Sequence, residues 1–326
     1  MLNQKRVMVP VSLETEGLRL LEQRPDLHVT RYDPAIPPAD LHALLADTAA
    51  IALSSTRFQA AEIAAAPHLQ VVGRLGVGFD AVDVPGLTAR GIPLMTAGTA
   101  NSRAVAEHAV FLMFGLTKRA AEMHRRVRTG VSHDRISGLP GEVAGKTVLI
   151  IGFGRIGSRT APRCKALEME VLVHDPFVAE GAIRDAGYEP APDLDGALAR
   201  ADFVTIHCPK NAGTIGLFDA ARLARMKRGA YLINTARGGI VDEAALAAAL
   251  SSGHLAGAGL DVFDPEPPLL SNPLLTMENV IASPHLAGVT TEAWAAISLV
   301  TAQTMLSVLD GTPSRAHAVN PEVFGA

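Results

Sequence analysis

Cysteine is scarce in this chain of 326 residues: Cys164 and Cys208 are the only two. Two thiols in segments that read as core elements make no disulfide framework, and neither stands in a metal-ligand spacing. The chain therefore suits a reducing compartment and carries no metal signature. Long runs of one charge are also missing. The formal net charge is −4 with both signs dispersed, which argues against the basic stripe of a nucleic-acid binder or the polybasic patch of a membrane-surface protein. The opening stretch MLNQKRVMVPVSLE has no apolar h-region, and no apolar run approaches the length of a membrane span. Internal repeats and low-complexity tracts are absent. What these absences leave is a cytoplasmic globular protein with a small-molecule partner, with neither nucleic acid nor membrane involved.

A content of 48% hydrophobic and 19% charged residues is that of a packed globular chain. The length exceeds one ordinary core, so two domains are expected. Short apolar segments at 6–11, 27–32, 50–53 and 70–74 read as strands, and 17–23, 40–46 and 59–66 as helices. Such alternation implies a parallel sheet covered by helices. Residues 103–128 read as one long helix whose only internal breaker is Gly115, with Ser102 as its N-cap. Val105, Ala109, Leu112 and Leu116 form its buried face. Lys118, Arg119, Arg125, Arg126 and Arg128 form a solvated basic end. The polar stretch 129–145 reads as a linker or arm. Beyond it, strands are expected at 148–151, 171–174, 203–207, 230–234, 256–261 and 280–282, and helices at 194–200, 219–226 and 243–252. The last helix, 291–309, stops at Asp310-Gly311 with Pro313 just beyond.

The stretch 148–157, VLIIGFGRIG, joins an apolar strand to Gly152, Gly154 and Gly157 and then to a helix start. A dinucleotide turn needs the first glycine to reverse the chain, the second to admit a pyrophosphate, and the third to let helix and sheet pack closely. An unliganded glycine turn is the bland alternative. Asp175 ends the next apolar strand, eighteen residues past Gly157, where an acid reaches the ribose hydroxyls of NAD and repels the extra phosphate of NADP. Three more strand ends carry Arg237 in NTARGGIVDE, Glu266 in DVFDPEPP and His285 in SPHLAG. All fall on the same sheet edge, so they are expected to converge. Arg237 suits a bidentate carboxylate grip, His285 a proton transfer near neutral pH, and Glu266 the orientation of that ring. Singly, each has a structural explanation: a pinned loop, a structural histidine, an exposed acid. Jointly they favour chemistry. The loop at 74–80, after another strand, offers glycine backbone N–H groups to an anion, with an ordinary turn as the equal alternative.

On these motifs, together with HDP at 174–176, GRLGVGFDAVD at 73–83 and NSRAVAEHAV at 101–110, the sequence resembles the D-isomer-specific 2-hydroxyacid dehydrogenase family over nearly its whole length. The resemblance implies an α/β fold of two doubly wound parallel-sheet domains. The larger is a Rossmann NAD-binding domain, 99–285, inserted into a flavodoxin-like substrate domain, 1–98 and 286–326. It implies an NAD-dependent enzyme of small 2-oxo and D-2-hydroxy acids, usually a homodimer, with Arg237, Glu266 and His285 as the catalytic trio. Cofactor contacts are implied at Val105, Gly152, Gly154, Arg155, Ile156, Gly157, Asp175, His207, Pro209, Thr214, Thr235, Ala236, Asp261, His285 and Gly288. Substrate contacts are implied at Ser54, Leu75, Gly76, Val77, Gly78 and Arg237.

Some features narrow the branch. Glu266 beside His285 argues against formate dehydrogenases, which resemble the family but use Gln there. Phosphoglycerate dehydrogenases tend to carry Arg where this chain has Leu53, although Arg57 follows, and no added C-terminal regulatory domain is expected. Hydroxypyruvate, glyoxylate and phosphohydroxypyruvate all stay open as substrates. Lys210 replaces a usual Leu and is expected to be exposed. An NAD(H)-sensing corepressor of the same fold is the alternative function, but its long extensions are not seen here.

Overall fold

The computed structural model describes residues 4–131 and 138–325; part of the expected linker at 129–145 lies outside them. The chain forms two compact units, Met1–Asn101 with Val289–Ala326, and Ser102–Gly288.

The first unit alternates β1 (Lys5–Pro10), α1 (Thr15–Glu22), β2 (Leu27–Tyr32), α2 (Pro38–Leu45), β3 (Thr48–Leu53), α3 (Ala60–Ala65), β4 (Val71–Arg74), α4 (Val84–Ala89) and β5 (Leu94–Thr96). All pairings are parallel, in the order β2-β1-β3-β4-β5. This is the flavodoxin-like winding, with its reversal between β1 and β3. The central strand β3, TAAIAL, is buried at every residue, as a strand covered on both faces must be.

The second unit contains α5 (Ser102–Thr117), α6 (Ala120–Arg128), β6 (Thr147–Ile151), α7 (Gly157–Ala166), β7 (Glu170–His174), α8 (Glu180–Asp185), β8 (Glu189–Pro190), α9 (Leu194–Arg200), β9 (Phe203–Ile206), α10 (Ala220–Arg225), β10 (Tyr231–Asn234), α11 (Glu243–Ser251), β11 (Gly257–Leu260) and β12 (Val280–Ala282). Its seven parallel strands run β12-β11-β10-β9-β6-β7-β8. The winding is that of a Rossmann domain, and the order reverses between β6 and β9.

Two expectations for the segment 103–128 are corrected. The helix breaks in two, because Arg119 adopts a left-handed φ of 51° between α5 and α6. Ser102 is the first residue of α5 instead of its N-cap, and it is buried. The expected face of α5 is buried as read: Val105, Ala109, Leu112 and Leu116 are all at 6% exposure or less. α6 buries nothing, and its basic end includes Arg125, which pairs with Glu278 at 2.5 Å.

After the second unit the chain returns to the first as α12 (Thr291–Leu309). Its Ile297, Ala302, Met305 and Leu306 pack into a core with Val7, Val9, Ala50 and Val71. Trp294 Nε1 donates to the Ser12 carbonyl at 2.9 Å, and Arg24 pairs with Asp310 at 2.8 Å. With 19 residues and a mean hydropathy of 1.2, α12 is long and apolar enough to cross a membrane by length and composition alone. That corrects the expectation that no segment approaches such a length. The value arises chiefly from the Leu, Ile and Val residues of the helix, which closes the first unit's core. Met305 is fully buried. Truncating Met305→Ala is expected to cost about 2–5 kcal/mol, read from urea unfolding against the wild type. A shift under about 0.5 kcal/mol, the level of an exposed substitution, would show that α12 does not seal this core.

Candidate active site

The carboxyl edge of the second unit's sheet gathers most of the residues singled out above. At the reversal, the Gly152 N–H donates to the His174 carbonyl at 2.8 Å, and the His207 N–H to the Ile151 carbonyl at 2.7 Å. Gly152 turns the chain with φ 93°. A Cβ at Gly157 would collide with the Gly152 carbonyl oxygen, so helix and strand meet at backbone distance, while Gly154 faces open space. The α7 N-terminus has no side-chain cap. The positive dipole end of α7 is thus open to an anion, although the Ser158 and Arg159 N–H groups already turn to the Gly154 and Ile156 carbonyls.

Asp175 leans back over this turn. Its Oδ2 accepts the Phe153 N–H at 2.7 Å and its Oδ1 the Phe177 N–H at 2.9 Å. Those bonds fix the carboxylate and leave further lone pairs for hydroxyl donors. Next to the turn in strand order, His207 meets Thr205 Oγ1 through Nε2 at 3.0 Å, whereas its Nδ1 is buried with no partner. Burial pushes His207 down to about 3, so the ring is neutral at neutral pH. The Thr235 hydroxyl, just beyond β10, is likewise buried and unpartnered. Buried polar atoms normally find partners. Two that lack them, past the ends of neighbouring strands β9 and β10 on the sheet edge that carries the open glycine turn, fit a bound dinucleotide.

Arg237 follows in a loop that Asn234 ties at both ends. Asn234 Oδ1 accepts the Ala236 N–H at 3.0 Å, and Nδ2 donates to the Arg237 carbonyl at 2.9 Å. Arg237 itself donates from Nη1 to the Ala236 carbonyl at 2.7 Å. A Cβ at Gly238 would strike the Phe263 carbonyl, so the Arg237 loop lies directly against the segment that bears Glu266.

Glu266 accepts the Phe263 N–H on Oε1 at 3.0 Å, and its Oε2 lies 2.8 Å from His285 Nδ1. Burial pushes the Glu266 carboxyl upward. The hydrogen bonds from His285 and Phe263 and the charges of His285 and Arg237 outweigh that, holding it below the ordinary glutamate range. The segment is braced from outside. Glu243 accepts the Asp264 N–H at 2.7 Å and the Asn272 amide at 2.6 Å, and Lys210 Nζ pairs with Asp264 at 3.0 Å. Lys210 is therefore half-buried and ion-paired, a correction to its expected exposure: the acid at 264 draws it down over Gly239.

His285 adopts a left-handed φ of 56°, uncommon for a non-glycine residue. Its N–H donates to the Asp261 carbonyl at 2.8 Å. The next two N–H groups, of Leu286 and Ala287, donate to Asp261 Oδ1 and Oδ2, each at 2.9 Å. Ser283 Oγ donates to Oδ1 at 2.5 Å and lies 2.9 Å from His108 Nε2 on α5. The motif NSRAVAEHAV contained His108, but nothing in the sequence assigned it a role.

Other residues stand apart from this group. Thr214 is occupied within its own turn, donating to the Pro209 carbonyl at 2.6 Å and accepting the Asn211 N–H at 2.8 Å. Val105, Ala236 and Gly288 are buried, Arg155 is exposed and Ile156 is half-buried. Ser54, Leu75, Gly76, Val77 and Gly78 belong to the first unit and follow the carboxyl ends of its β3 and β4. There the Leu75 N–H donates to the Leu53 carbonyl at 2.8 Å and the Ala97 N–H to the Gly76 carbonyl at 2.9 Å. Ser54 Oγ is buried without a partner, and Val77 and Gly78 are half-buried.

Residues 110–287 match the family model described as D-isomer specific 2-hydroxyacid dehydrogenase, NAD binding domain. A D-3-phosphoglycerate dehydrogenase of Archaeoglobus fulgidus is 41% identical over 272 residues, 83% of this chain and 51% of that protein. The chain thus spans about half the length of the curated relatives it matches. Among solved structures, the TT0316 protein of Thermus thermophilus is 31% identical, with a TM-score of 0.88 over 96% of this chain and 99% of that one. A D-lactate dehydrogenase of Aquifex aeolicus, solved with NAD and lactic acid, is 27% identical with a TM-score of 0.84, over 96% of this chain and 99% of that one. With more than half its length inside the family model and the fold shared throughout, the chain belongs to the D-isomer specific 2-hydroxyacid dehydrogenase family.

Proposed function

We propose that this protein is an NAD(H)-dependent oxidoreductase that interconverts a small 2-oxo acid and its D-2-hydroxy acid. The observation that carries the reading is the 2.8 Å contact of Glu266 with His285 Nδ1, on the same sheet edge as Arg237 and the open turn at Gly154. Gly152, Gly154, Arg155, Ile156, Gly157 and Asp175 would hold the dinucleotide, with His207, Thr235 and Asp261 toward the nicotinamide end. When bound, that cofactor supplies the hydride. In reduction, His285 gives a proton from Nε2 to the oxygen of the 2-oxo group. Glu266 on Nδ1 fixes the tautomer and the aim of the ring. Arg237 holds the carboxylate and carbonyl oxygen and stabilises the negative charge developing there. In the first unit, the backbone N–H groups of Val77 and Gly78, with Ser54, Leu75 and Gly76 beside them, would offer donors to an anion.

The names of the curated relatives support a 3-phosphoglycerate type of substrate, and Arg57, exposed beyond β3, offers a cation for an anionic end. The acidic balance and the two free thiols support a cytoplasmic protein without nucleic-acid or membrane partners; family resemblance supports a homodimer.

An NADH oxidation assay over phosphohydroxypyruvate, hydroxypyruvate, glyoxylate and pyruvate is expected to show turnover. Tight NADH binding with none of them turned over would overturn the enzyme reading. Changing His285→Ala is expected to lower kcat by about 10²–10⁴ while the NADH dissociation constant stays unchanged; near-normal turnover would remove His285 from the mechanism.

The depressed Glu266 carboxyl contributes stability that is fully present above about pH 4.3 and is lost as pH falls through the lower folded value. Glu266 thus stays an acceptor across the neutral range. Replacing Glu266→Gln removes the carboxylate that holds His285 Nδ1, so the reductive kcat is expected to fall about tenfold or more. An unchanged kcat would leave Glu266 a structural brace.

For the cofactor, kcat/KM with NADH should exceed that with NADPH by at least about tenfold, since Asp175 repels the added phosphate. Equal efficiencies would contradict that role.

A further inference from the structure

His108 and Ser283 form a linked pair that the proposed chemistry does not use. His108 projects from α5, its ring tilted against Phe111 with centroids 5.5 Å apart. Its Nε2 lies 2.9 Å from Ser283 Oγ, which lies 2.5 Å from Asp261 Oδ1. The direction of these bonds follows from counting protons. A carboxylate accepts only, so the single hydroxyl proton of Ser283 goes to Asp261. Ser283 Oγ can then meet His108 only as an acceptor, and His108 Nε2 carries a proton. A directed chain runs from the His108 N–H to the Ser283 hydroxyl to the Asp261 carboxylate. That carboxylate in turn collects the N–H groups of Leu286 and Ala287.

The turn so held is the one that places His285 at φ 56°. A non-glycine residue stays in that region only where its surroundings over-determine it. Asp261, 1% exposed, does so with its carbonyl and both carboxylate oxygens. Freed to rotate, its carboxyl could not serve both N–H groups at once. Ser283 and His108 oppose that rotation from the side of α5.

We propose that His108 is a positioning residue for His285, acting through Ser283 and Asp261 without touching substrate or cofactor. The proposal rests on the reading of His285 as the proton donor. In His108→Leu, which removes the donor but keeps an apolar body against Phe111, kcat should fall about tenfold, while KM and the NADH dissociation constant stay within about twofold. His108→Gln, which restores an N–H donor, should recover most of kcat. Ser283→Ala cuts the same chain elsewhere, so it should match the loss in His108→Leu, and the double variant should lose no more than either alone. Amide hydrogen exchange at Leu286 and Ala287 should quicken about tenfold in His108→Leu and return toward wild type in His108→Gln. Unchanged kcat and exchange in His108→Leu, a Gln variant as impaired as the Leu variant, or additive losses in the double variant would each overturn the proposal. Absence of turnover in the wild type would sink the dehydrogenase reading alone, since exchange at Leu286 and Ala287 still decides whether His108 holds the turn.

Discussion

Asp261 is the constraint on which the rest of the second unit's chemistry depends. Its position at the end of β11 buries a carboxylate that must find donors, and it finds them in the turn beyond β12. Two neighbouring parallel strands are thereby clamped at their carboxyl ends, and His285 is aimed at a fixed place. Glu266 leaves the same β11 end five residues later and comes back to His285. His285 and Glu266 therefore share one anchor. A sheet edge that would otherwise be a row of loose loops becomes a set of parts with fixed spacing.

The glycine turn depends on a different economy of space. Gly157 and Gly238 stand where backbone meets backbone, and any Cβ would push a loop away from its neighbour. Gly154 stands where nothing yet touches. Close contact at two points and open space at a third is what a cofactor turn asks of glycine, and His207, with its orphaned Nδ1, adjoins the same turn at Gly152.

Much of this was legible in the sequence because strand ends carry their signal locally. Most long periodic segments were placed within one or two residues, including 27–32, 194–200, 280–282 and 291–309, which match their observed bounds. The trio of Arg237, Glu266 and His285 could be read from its position just past three apolar runs, and the Glu266 to His285 contact from the chemistry of the pair. What failed was of another kind. The break at Arg119 has no glycine or proline to announce it, β8 has only 2 residues, and α4 carries Pro85 and Gly86 within its 6 residues. Lys210 looked exposed because its partner, Asp264, lies 54 residues away. His108 sat in plain view within a helix, but its meaning depends on Ser283, 175 residues distant. Local pattern carries no information about such pairings.

The return of α12 to the first unit has a consequence for the order in which the molecule can be made. A ribosome delivers the five strands of that unit first, yet the helix that seals their core arrives only after the entire Rossmann unit has been synthesised. Until then, the faces of β3, β4 and β5 that α12 covers lie open to water. The inserted unit, whose strands and helices are contiguous in the chain, can fold as a whole before the outer one closes. The contacts between α1 and α12 join residues nearly three hundred positions apart, and such long-range closures are slow to form. The strands that precede the inserted unit are thus among the last to be covered, and the nascent chain carries a half-covered sheet while that unit is made.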